Sequence, residues 1–389
     1  MPVLNRIADF HAEITGWRQD FHAHPELLFD VHRTAGRVEE LLRLFGCDEV
    51  VTGMGRTGVV GIINGRQSDS GRTIGLRADM DALPILEKTG KSYASTAAGK
   101  MHACGHDGHT AMLLGAAKYL AETRNFDGRI AVIFQPAEEG GGGGREMVRD
   151  GLMEQFNISE VFGMHNMPGI PLGQFAIREG GIMAATDEFL IEITGVGGHA
   201  ARPHATIDPI VIAAQLIVAL QTFVSRNVDP MRQAVLSVTV MDAGGAYNVI
   251  PRDARLKGTI RTLDPQVRQF MEDRLKSFVP EFVASFGAKA NVSYRSGYPV
   301  TVNAPAQTSF AASVAEDVVG AERVELNVDA SMGGEDFAYM LEARPGAYIF
   351  IGNGPSAELH TDDYDFNDES LTTGASYWVR LAEKALPAT

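Results

Sequence analysis

The sequence predicts an α/β protein whose main domain is interrupted by a smaller inserted domain. A chain of 389 residues exceeds what one compact core usually holds. Short apolar runs alternate with helical stretches up to residue 186 and again after residue 301, which is typical of a mixed sheet flanked by helices. Between these parts the pattern changes. We therefore expect a main domain of residues 1–186 and 301–389 and an inserted domain of residues 187–300.

Hydrophobic periodicity locates the elements of the main domain. A helical pattern runs over residues 5–45, and Gly46 is a plausible stop. Buried strands are expected at residues 59–63, 73–76, 129–134, 161–165 and 347–351, and helices at residues 110–122 and 309–319.

The middle segment follows a β-α-β-β-α-β order, which is the ferredoxin-like arrangement. The strands are expected at residues 188–194, 234–241, 254–261 and 291–294, and the helices at residues 209–225 and 265–286. A small sheet with one helical face leaves an edge strand unpaired. A second copy of the chain can join there, so we expect a homodimer through this domain.

Composition excludes several classes of partner. Lys and Arg number 34 and Asp and Glu number 49, for a net charge of −15. This balance argues against nucleic acid or an anionic membrane as a main partner, because both require a basic surface. The N-terminal residues do not resemble a secretory signal, and no uninterrupted apolar run reaches the length of a membrane span. We expect a cytoplasmic protein without a disulfide scaffold, since only Cys47 and Cys104 are present.

Cysteine and histidine occur together just before the predicted helix at residue 110. Cys104 and His106 are separated by one residue on an expected loop, and both suit a borderline-soft divalent cation. His102 and His109 lie close by. A helix capped by polar residues would explain some of these histidines without a metal.

Two adjacent carboxylates, Glu138 and Glu139, follow the buried strand at residues 129–134. On an extended segment they would point in opposite directions, so that one binds metal while the other handles protons. The alternative is a solvated acidic loop. The Gly140 to Gly144 run lacks the ending of a phosphate-binding loop, and a flexible turn is the better interpretation.

Two further histidines complete the candidate set. His165 ends an apolar strand, and His360 lies near the C-terminus. A lone histidine is more often a packed or surface residue, but five candidate ligands beside strand ends together indicate a metal site. HExxH is absent, which excludes a thermolysin-like helix site, and so is GxSxG, which argues against a nucleophile elbow.

A series of short motifs spans nearly the whole chain. They are His24-Pro-Glu-Leu27, Arg77-Ala-Asp-Met-Asp-Ala-Leu-Pro84, His102-Ala-Cys-Gly-His-Asp-Gly-His109, Gln135-Pro-Ala-Glu-Glu-Gly140, Gly198-His-Ala-Ala-Arg-Pro-His204, Asn248-Val-Ile-Pro251, Gly333-Gly-Glu-Asp-Phe337 and Leu359-His-Thr361. With these motifs in this order, the chain resembles the M20 metallopeptidase and aminoacylase family, in its hippurate-hydrolase-like amidohydrolase branch. The resemblance also implies that the inserted domain is a lid and dimerisation domain.

The resemblance implies a role for each candidate residue. Cys104 would bridge two divalent ions, with His106 and His165 completing one site and Glu139 and His360 the other. Glu138 would be the general base, and Asp81 would orient the site. Zn suits a cysteine ligand, while Mn, Co and Ni are also compatible.

The inserted domain would supply the remaining groups. The resemblance offers His199, from the partner subunit, as a donor to the oxyanion, and Asn248 and Arg261 as contacts to the substrate carboxylate. From the residues alone, His199 is a loop histidine beside two glycines, and Arg261 is equally consistent with a surface position on a strand.

One position departs from the wider family pattern. Asp79 stands where the common H-x-D-x-x-P motif has its first histidine ligand. A buried salt bridge, for example with Arg77, and a direct role at the site are both open.

The expected activity is hydrolysis of the amide bond of an N-acyl amino acid by metal-activated water. A dipeptidase or aminopeptidase with the same metal chemistry is the first alternative. A non-catalytic binding protein on the same fold is the second, and the presence of every expected ligand weighs against it.

Overall fold

The computed structural model describes residues 2–388, with side chains from Asn5 onward. The chain forms two compact units. The first comprises the described residues up to Gly180, together with Val302–Asp329 and the chain from Asp336 onward. The second comprises Gly181–Thr301 and Ala330–Glu335, so it begins before the expected residue 187 and includes a short return segment.

The α-helices of the described chain are α1 (Pro2–Asp9), α2 (His11–Ala23), α3 (His32–Phe45), α4 (His106–Thr123), α5 (Gly143–Arg149), α6 (Leu152–Gln155), α7 (Pro209–Thr222), α8 (Pro265–Ala284), α9 (Pro305–Val319), α10 (Ala338–Ala343) and α11 (Leu371–Ala385). The strands are β1 (Glu49–Met54), β2 (Gly58–Asn64), β3 (Thr73–Asp79), β4 (Arg129–Gln135), β5 (Ile158–Met167), β6 (Phe175–Ala176), β7 (Gly180–Met183), β8 (Ala185–Thr194), β9 (Gly198–His199), β10 (Ala234–Ala243), β11 (Val249–Ile250), β12 (Asp253–Thr262), β13 (Lys289–Ser296), β14 (Thr301–Asn303), β15 (Val324–Glu325) and β16 (Gly346–Gly352).

A mixed sheet organises the first unit, in the order β1-β2-β4-β3-β5-β16-β6-β15. Its central strands β4, β3, β5 and β16 are parallel, and β1 and β2 extend it with antiparallel pairing. These central strands are almost entirely buried, as expected for parallel strands covered on both faces. The expected α/β fold with a mixed sheet flanked by helices is confirmed.

The parallel strands place their carboxyl ends at one edge of the sheet, where α/β folds hold their ligands. β3 ends at Asp79, β4 at Gln135 and β5 at Met167. The buried helix α4 packs against α2, α3, α11 and β3, and its N-terminus begins at His106. The candidate residues that follow these strands therefore meet at the start of α4.

The second unit contains a separate four-stranded antiparallel sheet in the order β10-β12-β8-β13. Helices α7 and α8 contact this sheet and each other, and alternate residues of β8 and β12 enter the shared core with Leu216 and Met271. The element order is β-α-β-β-α-β. A short ribbon of β9 and β11 lies beyond one end of β8 and β12.

One helix of the described chain, Pro209–Asn227 with its terminal π-helical turn, is long and apolar enough to cross a membrane by length and composition. A core helix of a soluble protein passes the same test. Some 33% of its most apolar window is buried within the chain, so much of its apolar surface is exposed.

Several elements differ from the expectation. The helical pattern of residues 5–45 forms three helices. One break falls at Phe10, and the other falls between Ala23 and His32, where Pro25 cannot continue a helix. Helix α4 begins at His106 rather than near residue 110. The C-terminal helix α11 was not predicted, although its buried side carries the apolar residues Leu371, Trp378 and Leu381.

Candidate metal centre

Six ligand-type side chains converge at the sheet edge described above. Cys104, His106 and His165 offer ligand atoms that all lie within 4.8 Å of one another. The same holds for Cys104, Glu139 and His360, and for His106, Glu138 and Glu139. Cys104 belongs to both of the first two groups, so its sulfur lies where it could contact two ions.

A sharp turn before α4 positions Cys104 and His106. Gly105 adopts a left-handed backbone conformation with φ of 87°. A Cβ atom at Gly105 would lie 2.2 Å from Nδ2 of Asn166, so this position requires glycine for both conformation and space. His106 is consequently the first residue of the helix, not a loop residue as expected from the sequence.

In both buried histidines of the cluster, His106 and His165, Nδ1 is hydrogen-bonded to a backbone carbonyl. Nδ1 of His106 donates to the carbonyl of Asp81 at 2.8 Å, and Nδ1 of His165 donates to the carbonyl of Asn166 at 2.5 Å. Since Nδ1 keeps its proton in both rings, Nε2 is the nitrogen through which each ring, in its neutral form, would bind a metal. Nε2 of His165 lies 3.4 Å from the sulfur of Cys104.

Two polar atoms at the centre of the cluster are buried without any hydrogen-bond partner. They are Nε2 of His106 and Oε1 of Glu139. Such atoms are costly to bury unless something satisfies them. A divalent cation would do so, and a donor set of one sulfur, imidazoles and carboxylates suits Zn or a similar ion. The residues therefore fit the metal centre that the resemblance implies.

Glu138 and Glu139 lie in a turn whose backbone is hydrogen-bonded to the side chain of Asp81. The carboxylate of Asp81 accepts the backbone N–H groups of Glu138 and Glu139, at 2.8 and 3.1 Å. Ala137 before them has a left-handed φ of 55°. Each glutamate has a carboxylate oxygen 3.9 Å from Nε2 of His106. The expectation that the two side chains point in opposite directions was wrong, because the segment is a turn and not a strand.

His360 approaches the cluster from the C-terminal segment. Its backbone N–H donates to the carbonyl of Ala103 at 2.8 Å, which ties it to the turn before α4. Its backbone has a left-handed φ of 64°, and its Nε2 lies 3.4 Å from Oε1 of Glu139. The side chain is 52% exposed, so it forms the open side of the cluster.

Asp79 forms the buried salt bridge that the sequence left open. Nη1 of Arg77 and Nδ1 of His109 each donate to one of its carboxylate oxygens, both at 2.6 Å. Nε2 of His109 accepts from the backbone and side-chain N–H groups of Asn166 at 2.9 and 3.0 Å. Both ring nitrogens of His109 are therefore occupied, and this histidine is not available as a ligand.

Negative charge dominates the cluster. Burial and the charges of Glu139 and Glu138 raise the pKa of the Cys104 thiol well above its usual value. Burial would lower the pKa of His106, yet Asp79 and its neighbouring carboxylates raise it to about 10. Burial likewise opposes ionisation of Asp79, but His106 and Arg77 hold its pKa well below the usual range. The cluster thus stabilises added positive charge.

A second group of charged side chains lies around the N-terminal turn of α4. Asp107 follows His106 and accepts a hydrogen bond from Nδ1 of His22 at 2.8 Å. His22 also approaches Glu87 at 3.3 Å, and Arg18 binds both carboxylate oxygens of Asp368. Burial opposes the charge on His22, but hydrogen bonds to Asp107 and Glu87 raise its pKa to about 9.

Three of the candidate site residues belong to the second unit. His199 pairs with Val249 in the β9–β11 ribbon, and the N–H of Ala200 donates to the carbonyl of Asn248 at 3.0 Å, so His199 and Asn248 are neighbours. Arg261 pairs with Thr186 near the other end of β12. Arg261 lies eight residues along β12 from Asp253, the end of the strand next to the ribbon. At the rise per residue of a strand this is roughly 26 Å.

Sequence reasoning did not single out Asn166, Tyr364, His22 or Asp107, which organise the surroundings of the cluster. Asn166 and Asp107 directly follow candidate ligands, and that adjacency is the only signal available. Tyr364 and His22 come from distant segments, and only the folded chain brings them to the site.

Comparisons with known proteins agree with the geometry. Residues 75–384 match the model of Peptidase family M20/M25/M40. The chain is 42% identical to hippurate hydrolase from Campylobacter jejuni, covering 99% of this chain and 100% of that protein. It is 41% identical to N-acetyl-L-cysteine deacetylase from Bacillus subtilis, covering 98% and 89%.

A solved structure shares the whole fold. The YXEP protein of Bacillus subtilis, described as a dinuclear metal binding peptidase from the M20 family, is 34% identical with a TM-score of 0.86, covering 98% of this chain and 100% of that one. Fold, ligand cluster and relatives together define an amidohydrolase with metal-binding residues. The chain belongs to Peptidase family M20/M25/M40.

Proposed function

We propose that this enzyme hydrolyses the amide bond of small N-acyl amino acids with two divalent ions held by Cys104, His106, His165, Glu139 and His360. The observation that carries the proposal is the convergence of these side chains around two buried, unpartnered ligand atoms. The relatives named for hydrolysis of hippurate and deacetylation of N-acetyl-L-cysteine support the substrate class. Zn and Mn are the proposed ions, and Co and Ni suit the same donors.

The proposed chemistry divides among the residues of the cluster. When bound, the ions would supply Lewis-acid activation of water and of the substrate carbonyl. Glu138 takes the proton of the attacking water and delivers it to the leaving nitrogen. Its carboxylate lies beside His106, and its backbone N–H is held by Asp81. Asp81 therefore orients the base and, through its carbonyl, His106.

His199 is the proposed donor to the oxyanion. Its Nδ1 accepts a hydrogen bond from the backbone N–H of Ala201 at 3.0 Å. The neutral ring therefore carries its proton on Nε2, and the exposed side chain offers that N–H outward. This is the tautomer that a donor to a developing negative oxygen requires.

A homodimer through the second unit, acting as a lid, completes the proposed site. Arg261 and Asn248 are the proposed contacts of the substrate carboxylate. Arg261 and His199 of one chain lie near opposite ends of β12, a separation greater than a small N-acyl amino acid spans. Asn248 lies beside His199 and is therefore equally far from Arg261, so we propose that His199 and Asn248 both come from a second copy while Arg261 comes from the first.

The surface of the second unit supports such pairing. β10 is an edge strand of its sheet, with Val240 and Met241 exposed. Helix α7 exposes Val211 and Val218, two turns apart on one side of the helix. Exposed apolar residues of this kind mark contact surfaces. We propose a cytoplasmic location for the enzyme.

A substrate panel tests the proposal. Purified enzyme is loaded separately with Zn, Mn, Co or Ni and assayed on N-acetyl and N-benzoyl amino acids and on free dipeptides. We expect hydrolysis of N-acyl amino acids, with little activity on free dipeptides. Preference for dipeptides would favour the dipeptidase or aminopeptidase alternative. Absence of any hydrolysis with every metal would contradict the proposal.

A further inference from the structure

Asn166 is a fully buried residue near the end of β5 whose side-chain hydrogen bonds lie around the proposed ligand cluster. Its side-chain Nδ2 donates to the carbonyl of Cys104 at 2.7 Å and lies 3.0 Å from Nε2 of His109. Its Oδ1 accepts from the hydroxyl of Tyr364 at 2.5 Å. Its carbonyl accepts from Nδ1 of His165 at 2.5 Å.

These bonds join three separate segments of the chain. Cys104 lies in the turn before α4, His165 lies on β5, and Tyr364 lies four residues after His360 in the C-terminal segment. Each segment carries at least one proposed ligand. Asn166 therefore links three segments that carry proposed ligands.

The fit around this amide leaves no spare room. A Cβ atom at Gly105 would meet Nδ2 of Asn166 at 2.2 Å and the hydroxyl of Tyr364 at 2.6 Å. Both amide hydrogens and the amide oxygen have partners, so the orientation of the side chain is determined by its contacts.

We infer that Asn166 is a positioning residue of the metal centre, which sets the spacing of the Cys104 sulfur and the His165 nitrogen. The inference rests on the proposed ligand set. Asn166 holds the backbone of Cys104 through its side chain and the ring of His165 through its carbonyl. Through His109 it also supports the carboxylate of Asp79. Outer partners of metal ligands commonly change metal affinity by about 10- to 100-fold when they are replaced.

Asn303 provides a matched control in the same unit. It is also a buried asparagine, and its side chain donates to the carbonyls of Arg178 and Tyr348 and accepts from the N–H of Tyr348. These partners are neither proposed ligands nor neighbours of ligands in sequence. Asn166→Ala and Asn303→Ala therefore remove similar numbers of buried hydrogen bonds, but only Asn166 bonds directly to segments that carry proposed ligands. Asn303 reaches the cluster only through Tyr348, whose ring centroid lies 6.5 Å from that of His165.

The test uses full-length protein loaded with cobalt. Affinity is measured by competition with a chromogenic chelator, coordination by the thiolate-to-cobalt absorption, and stability by urea unfolding. We expect Asn166→Ala to lower cobalt affinity by about 10- to 100-fold and to shift the absorption. Asn303→Ala should lose comparable stability with wild-type affinity and spectrum. Equal loss of cobalt affinity in both variants would show that the loss comes from general destabilisation, and would overturn the inference.

Two further arms keep the outcome decisive. If Asn166→Ala does not fold, Tyr364→Phe removes only the hydroxyl that contacts the amide oxygen, and we expect a spectral shift with a several-fold loss of affinity. A wild-type spectrum and affinity in Tyr364→Phe would then overturn the inference. If the wild-type chain itself binds no cobalt, the proposed metal centre fails. If the wild-type chain binds cobalt and Asn166→Ala binds it equally well, only the positioning role is contradicted.

Discussion

At the scale of single residues, Cys104 distinguishes the proposed centre from an ordinary buried cluster. Its thiol lies among carboxylates that oppose ionisation, and burial raises its pKa further. A thiolate there is stable only beside compensating positive charge. Cys104 is shared by the group with His106 and His165 and the group with Glu139 and His360, so both proposed ions would depend on it.

Replacement of Cys104 tests this dependence. We expect Cys104→Ala to lose bound metal and activity together, as measured by metal analysis and by hydrolysis of an N-acyl amino acid. Cys47→Ser is the control. Cys47 is partly buried against the core, and burial raises its pKa to about 12, so its thiol is inert. Equal losses in both variants would point to a structural role for the two cysteines instead.

At the scale of elements, the strands that position the site could be predicted and the turns between them could not. Apolar runs located β3, β4 and β5, and a candidate site residue lies near the end of each strand or just beyond it. The expected geometry of Glu138 and Glu139 was wrong, because the left-handed conformation of Ala137 depends on contacts with distant segments. The carbonyl of Leu28, which accepts the N–H of Ala137, is one such contact.

The contacts of Asn166 and His22 illustrate the same limit. Neither residue belongs to a periodic pattern that indicates its partners. Their hydrogen bonds join segments far apart in sequence, and short-range patterns carry no information about such pairs. Family motifs indicated the candidate ligands, but the hydrogen bonds that surround these residues became visible only in the folded chain.

Helices α2 and α4 are joined by the charged histidine His22, which predicts a pH-dependent stability. Its folded pKa of about 9 exceeds the ordinary value of 6.5. The stabilisation is therefore fully present below pH 6.5 and is lost as the pH rises through 9. Since one pKa unit corresponds to about 1.4 kcal/mol, the effect is on the order of 3 kcal/mol. The charges that face His22 are Asp107, Glu87 and Arg18, with neutral His102 nearby.

Urea unfolding at pH 6 and pH 9.5 measures this effect. The chain has two tryptophans, Trp17 and Trp378, and both lie in the first unit, so tryptophan fluorescence reports unfolding of that unit. Wild-type protein should lose more stability between the two pH values than His22→Gln, which cannot titrate. The difference between the two proteins removes the contribution of other groups. Equal pH dependence would show that His22 is not charged in the folded protein.

At the scale of the whole molecule, the second unit must supply His199 to another chain if the proposed site is shared. A mixture of His199→Ala and Glu138→Gln proteins tests this. Each variant should be nearly inactive alone. After subunit exchange, half of the dimers are hybrids with one intact site, so activity should recover to at most roughly a quarter of wild type.

A matched mixture controls for nonspecific recovery. Cys104→Ala and Glu138→Gln both damage the site of their own chain, so no hybrid dimer contains an intact site. Recovery in this mixture, or no recovery in the first one, would contradict the shared site. A fully active monomer by light scattering under assay conditions would exclude the dimer altogether.

In the proposed mechanism, Glu138 moves protons at a two-metal site without being a metal ligand. Metal content and kcat of wild type, Glu138→Gln and Glu139→Gln, measured on the same preparations, test it most directly. Two ions per chain are expected in wild type and in Glu138→Gln, whose kcat should fall by about two orders of magnitude or more. Glu139→Gln should lose metal. Loss of metal from Glu138→Gln with retention in Glu139→Gln would reverse the two roles and contradict the account.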